Sequence, residues 1–190
     1  MADAGGTWQF ISTLLLKRPG KAHWLQDDIE SFVLVVLYHG LRYANHNKID
    51  KLHYIMHRVF DDSYEVNGTI MGGVGKHSMF LVGGYLSREY AFTGNPALTQ
   101  WKQSAFKAIA QWIVHAEQKL WENESFHPSV GLGQEYALRD HKELARAFEI
   151  ALSSQSWPTT DDKAVDYLQV PKRASGEDPA DGSGIEEEQR

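Results

Sequence analysis

The sequence predicts a mainly α-helical fold, on three observations. Leu52, Ile55, Met56, Val59 and Phe60 recur at the i, i+3, i+4, i+7, i+8 spacing of an amphipathic helix. Leu98, Trp101, Ala105, Ile109, Trp112, Ala116 and Leu120 hold one face over a much longer stretch. Between residues 27 and 43 an acidic start, Asp27-Asp28, leads into a run that is apolar nearly all round, from Ile29 through Leu41. Its length and acidic beginning favour a buried helix over a buried strand, although the valines there would suit a strand.

The remaining elements follow in order. Phe10 to Leu16 is apolar, and Lys17-Arg18-Pro19-Gly20-Lys21 then breaks the pattern as a loop with a Pro-Gly turn does. Asp50 is placed to cap the helix that carries Leu52 to Phe60. Residues 63–84 hold six glycines and read as an irregular excursion with room for a short hairpin. Asn95-Pro96 pairs an N-cap with a proline at the first helical position, and starts the long helix. A Gly/Pro loop at 127–134 separates it from a last helix with Leu144, Phe148 and Leu152, which Asp140 can cap and Trp157-Pro158 ends. No internal repeat is present.

The 190 residues fit one domain with a sizeable core: 42% are apolar, and six Trp, eight Tyr and eight Phe supply large side chains to bury. With no cysteine there is neither a disulfide framework nor a thiolate metal site. No apolar run is long enough to span a bilayer. Met1 to Gly6 lacks the basic and apolar regions of a secretory signal, so the expected location is intracellular, cytoplasmic or nuclear. Residues 174–190 hold six acids and one Arg, or −5 of the total −6, and are poor in anything that packs. This segment reads as a disordered acidic tail, and residues 1–173 as the folded unit. The near-neutral body has no basic footprint for nucleic acid.

Several local patterns suggest chemistry and fail on inspection. Leu138-Arg139-Asp140-His141-Lys142 has an Asp and Lys at catalytic-loop spacing, but Ala145 stands where a metal-binding Asn is required. Gly73-Val74-Gly75-Lys76-His77-Ser78 misses the third glycine of a kinase phosphate loop. It also misses the first glycine of a Walker loop, where Ile70 stands. Its glycines are better explained by a turn needing positive φ. His53 and His57 share a helix face, but Tyr54 replaces the metalloprotease Glu and no third ligand is evident. Asn67-Gly68-Thr69 and Asn123-Glu124-Ser125 fit the glycosylation pattern without a secretory context.

The most informative pair of motifs is Gly6-Thr7-Trp8-Gln9-Phe10-Ile11-Ser12, followed about fifteen residues on by Asp27-Asp28-Ile29-Glu30-Ser31-Phe32. Each has a plain reading: a loop entering a helix, and acidic residues capping a buried one. In this order and spacing the pair resembles the end of a protein-kinase activation segment and the central helix of the kinase C-lobe. Together with Gly72-Gly73-Val74-Gly75-Lys76, Trp157-Pro158 and Asp161 to Asp166, it is most similar to the fungal-type protein kinase family, over roughly residues 5–173. The resemblance implies the C-terminal helical subdomain of a kinase C-lobe without its N-lobe, from a family that phosphorylates Ser/Thr with ATP and Mg²⁺.

By that resemblance Gly6 and Thr7 belong to the loop facing the substrate, where the threonine hydroxyl bridges toward the catalytic Asp and Lys. Asp28 takes the place of the central-helix Asp that holds the catalytic-loop backbone, with Ser31 beside it in the same element. Ser12-Thr13-Leu14 replaces the usual Ala-Pro-Glu, and Val33 stands where many kinases have Gly. The phosphate loop, strand Lys, catalytic Asp and Mg²⁺ ligands of phosphoryl transfer precede the Gly-Thr element in the family. Only six residues precede Thr7 here, so no catalytic, cofactor-binding or metal-binding residue is expected in this chain. Two functions follow as expectations: a catalytically incomplete piece of a kinase domain, or a non-catalytic helical module that binds a protein through the former substrate-facing surface.

Overall fold

A computed structural model describes residues 7–86, 89–122, 138–155, 157 and 165–169. The fold is mainly helical. A 3-10 turn, Trp8–Phe10, leads to α1 (Thr13–Lys17), then α2 (Leu25–Tyr43) and α3 (Leu52–Phe60). A hairpin of β1 (Ser63–Val66) and β2 (Thr69–Gly72) follows, then α4 (Val74–Val82), α5 (Pro96–Glu122) and α6 (Lys142–Leu152).

Helix α2 is the centre. Val33, Leu34, Leu37 and Leu41 are fully buried, as a helix apolar on most faces requires. The long face of α5 packs on it through Trp101, Ile109, Trp112, Ile113 and Ala116. Fully burying a side chain of this size contributes roughly 1.5–3 kcal/mol, so this α2–α5 seam carries much of the fold's stability. Aromatic edges join the layers. Phe10, Tyr38 and Phe60 form a train with ring centroids 5.3 and 5.2 Å apart, tying the 3-10 turn and α3 to α2. Phe148 of α6 lies 5.2 Å from Trp101 and 5.5 Å from Phe32, so α6 closes over α5 and one flank of α2.

Several sequence expectations need correction. Helix α2 starts at Leu25, two residues before the acidic pair, because Asp27 serves at its third position and not at its cap. Asp50 does not cap α3. It lies exposed inside a 3-10 turn, Ile49–Lys51, that feeds the helix directly. Residues 73–84 are not irregular: Gly73 (φ 80°) and Gly83 (φ 76°) bracket a full helix, α4.

Inside α4, Gly75 has a different reason. A Cβ there would sit 1.7 Å from the Arg58 carbonyl oxygen, so α3 and α4 touch backbone to backbone only through a glycine. The hairpin occupies the first half of the glycine-rich stretch. Its turn is Asn67-Gly68, both left-handed at φ 50° and 77°, the conformation a two-residue hairpin loop prefers. Asn95 accepts the Leu98 amide at 2.9 Å and caps α5 as expected. Asp140 is not the cap of α6, a place His141 takes, although it accepts the Lys142 amide at 2.8 Å; the helix ends at Leu152, ahead of Trp157. No helix among the described residues is long and apolar enough to cross a membrane. Gly6, the 127–134 loop, Asn123-Glu124-Ser125, Pro158, Asp161 to Ala164 and the 174–190 tail lie outside the described residues.

Candidate functional site

The two motifs that stand fifteen residues apart in sequence meet in one buried polar joint. Ser12 caps α1 and donates its hydroxyl to Asp27 Oδ1 at 2.6 Å. The other Asp27 oxygen accepts the Trp24 amide at 2.7 Å and the Lys21 ammonium at 2.6 Å. Asp27 thus closes the first turn of α2 and fastens α1 and the intervening loop to it. Burial lowers the Lys21 pKa, and the Asp27 hydrogen bond and charge oppose that. The Lys21 ammonium also lies 3.6 Å from the centroid of the Trp24 ring.

One turn further, Glu30 is fully buried. Its Oε1 accepts both the Thr13 amide at 2.7 Å and the Thr13 hydroxyl at 2.6 Å. Burial pushes its carboxyl up to about 7, against the two Thr13 hydrogen bonds and the attraction of Lys76. Lys76, on α4, is buried too, and burial draws its amine down to about 8. Its Nζ donates to the carbonyls of Trp8 (3.2 Å) and Ile11 (2.8 Å), so α4 grips the 3-10 turn from below. The Trp8 indole donates to the Asp62 carbonyl, and Gln9 donates to Asp61 Oδ1. Asp62 accepts the Val74 and Gly75 amides at 3.0 and 3.2 Å, which fixes the start of α4 in the same knot. Every residue of Trp8-Gln9-Phe10 is therefore tied down.

Against that fixed background, two of the expected site residues stand outward. Thr7 is exposed at the head of the 3-10 turn, which its carbonyl caps by accepting the Phe10 amide at 2.8 Å. Asp28 has 66% of its side chain exposed and, among the described residues, pairs with the likewise exposed His23, at 3.3 Å. It is not the cap of α2, as the plain reading held; Trp24 stands at the cap, and the adjacent Asp27, at the third helical position, accepts the Trp24 amide. Ser31 is half-buried on α2.

Beside Asp28 runs an open groove of about 280 Å³, formed by Ile29 and Phe32 of α2 and by His141, Leu144, Ala145 and Phe148 of α6 and its approach. Its surface is almost wholly apolar, and Phe32 remains 52% exposed in it. The site therefore presents a carboxylate at the edge of an apolar trough, on a helix whose first turn is locked from behind.

The Asp140 to Lys142 element, which imitates a catalytic loop, lies at the far rim as the approach to α6, its Asp and Lys paired to each other at 3.1 Å. His53 and His57 are exposed on α3, and no group of three or more metal-ligating side chains occurs among the described residues. The roles of Glu30 and Lys76 were missed in the sequence. Lys76 was visible only as part of a glycine-rich run, and nothing local signals that a lysine there reaches back across 65 residues. Comparison of this chain with family models, with curated proteins and with solved structures finds no match.

Proposed function

We propose that this chain is the helical C-terminal part of a protein-kinase-like lobe of the fungal type, and that it carries the scaffold of phosphoryl transfer without its reacting groups. One observation carries the reading: the segment from Thr7 to Thr13 is bolted to the Asp27 to Ser31 turn of α2 through Ser12–Asp27 and Thr13–Glu30, while Asp28 is left facing outward at the edge of an apolar groove. A carboxylate that only stabilised the helix would be spent on the helix, as Asp27 is. Asp28 is free to accept hydrogen bonds from backbone amides of a segment laid into the groove, with apolar residues of that segment against Phe32 and Phe148. By the resemblance, that segment is the catalytic loop, and Thr7 belongs to the loop that faces the substrate residue after the phosphoacceptor.

Phosphoryl transfer depends on positioning a catalytic Asp and Mg²⁺ around the transferred group, so a rigid shelf that orients the loop has a direct effect on rate. By the resemblance, ATP and Mg²⁺ belong to the complete family domain. A protein-binding module without catalysis would use the same groove.

The test is a graft. The chain is fused below the N-lobe and catalytic loop of a fungal-type kinase, and Mg-ATP binding by calorimetry and phosphate transfer to a generic Ser/Thr substrate are measured for graft and isolated chain. The expected result is transfer by the graft and no binding by the chain at millimolar ATP. Saturable Mg²⁺-dependent ATP binding by the isolated chain would overturn the claim that the reacting groups lie elsewhere. A graft that folds and binds nucleotide yet transfers nothing would overturn the kinase-lobe reading and leave the binding module.

A further inference from the structure

A second concavity lies between the C-terminal half of α4 and one face of α5. It is an open cleft of about 550 Å³, within the size range of pockets that take small molecules. Met79, Phe80, Leu86 and Phe106 make its apolar walls, and Lys102 and Lys107 its charged positions. In a chain of net charge −6 it is lined by two cations and no carboxylate.

Lys102 is the unusual member. It is 3% exposed, donates to the Tyr90 carbonyl at 3.0 Å and lies against the Tyr90 and Phe106 rings, with centroids 4.8 and 5.6 Å from Nζ. An ammonium has three donors, and that carbonyl accepts one of them. No carboxylate among the described residues offsets its charge; burial alone draws its pKa down, to about 8. A buried cation without a counter-ion is costly, and an anion entering the cleft would relieve that cost.

We propose that this cleft binds a small amphiphilic carboxylate, with its apolar tail over Leu81, Val82 and the edges of Phe80 and Phe106 and its head on the Lys102 and Lys107 amines. A monoanion suits the site better than a phosphate dianion. The wall at Val82 and Gly83 is the C-terminus of α4, whose carbonyl ends disfavour additional negative charge. This inference does not depend on the kinase-like reading, since none of these residues belongs to the Asp28 groove.

The experiment titrates the full chain with octanoate and, separately, with 1-octanol, at pH 8 in two buffers of different ionisation enthalpy. Octanoate is expected to saturate in the sub-millimolar range, and its binding heat to differ between buffers because Lys102 takes up a proton. Octanol should bind at least about tenfold more weakly, as loss of one charge-assisted contact implies. Lys107→Glu, an exposed change, should weaken octanoate by at least about fivefold with the unfolding midpoint unmoved, and Lys102→Met should weaken it further while abolishing the buffer dependence. Absence of saturable octanoate binding, equal binding of octanoate and octanol, or unchanged affinity in Lys107→Glu would each overturn the proposal.

Discussion

Asp27 and Asp28 are neighbours on one helical turn and have opposite fates. Asp27 keeps 2% of its side chain exposed and accepts hydrogen bonds from Ser12, Trp24 and Lys21. Asp28, rotated about 100° round the same helix, is mostly in solvent with one weak partner. The inner residue builds a joint, and the outer one faces solvent. Identical chemistry on adjacent positions thus separates into a structural and a functional candidate by direction alone. The same division runs through the whole region. Trp8, Gln9 and Phe10 are pinned while Thr7 is not, and Glu30 is sealed while Phe32 is half in solvent.

The contrast is sharpened most by removing the inner carboxylate. Asp27→Ala strips the partner from a Lys21 ammonium that is itself nearly buried, and leaves the Trp24 amide and Ser12 hydroxyl without their acceptor. Breaking a buried pair in this way costs about 3–5 kcal/mol, and a urea midpoint should fall accordingly. Next is Glu30, whose carboxyl is raised in the folded state. A raised acid binds more protons folded than unfolded, so stability is greatest below its unfolded pKa of 4.5 and declines as pH rises through about 7. Between pH 5 and 7 this slope approaches at most about 1.4 kcal/mol per pH unit. Glu30→Gln keeps an oxygen for Thr13 and should flatten the pH profile of the denaturation midpoint over that window. A profile unchanged by the substitution would mean that Glu30 does not titrate there.

On the outer side the effects are smaller. Phe32→Ala loses a tilted ring contact with Phe148 and little burial, so about 1 kcal/mol of stability is expected to go. At micromolar protein the substitution should also reduce hydrophobic-dye fluorescence and self-association in light scattering, because it removes an exposed part of the groove. A dye signal indifferent to Phe32 would place the accessible apolar surface elsewhere.

Much of the frame was legible in the sequence, because helix periodicity reports burial directly. The faces of α3 and α5 were read correctly, and Asn95-Pro96 marked the start of α5. The glycine-rich stretch was harder. Gly73 and Gly83 are helix boundaries, Gly68 is a hairpin turn, and Gly75 is a helix-crossing contact. Counting glycines cannot separate these, since three different geometric demands select the same residue. Asn67, whose glycosylation pattern was set aside for want of a secretory context, holds a left-handed turn position in the hairpin. The site was legible as two motifs and not as a joint. That Asp27 rather than Asp28 turns inward depends on where α2 begins, and Trp24 sets that two residues earlier than the acidic pair suggests. Glu30 and Lys76 lie on different helices, one holding Thr13 of α1 and the other the Trp8 and Ile11 carbonyls just before it, and only the tertiary fold brings them there.

The most direct measurement is Asp28→Asn, read in two places. In the isolated chain Asp28 is mostly exposed and its partner among the described residues is the exposed His23, so the denaturant midpoint should move by less than about 0.5 kcal/mol equivalent. In the kinase graft the same substitution removes the charge that would orient the catalytic loop, and turnover should fall by about tenfold or more while the midpoint stays put. Unimpaired turnover in a stable Asp28→Asn graft would contradict the account. The outward carboxylate would then be no more than surface, and the resemblance that singles it out would lose its strongest residue.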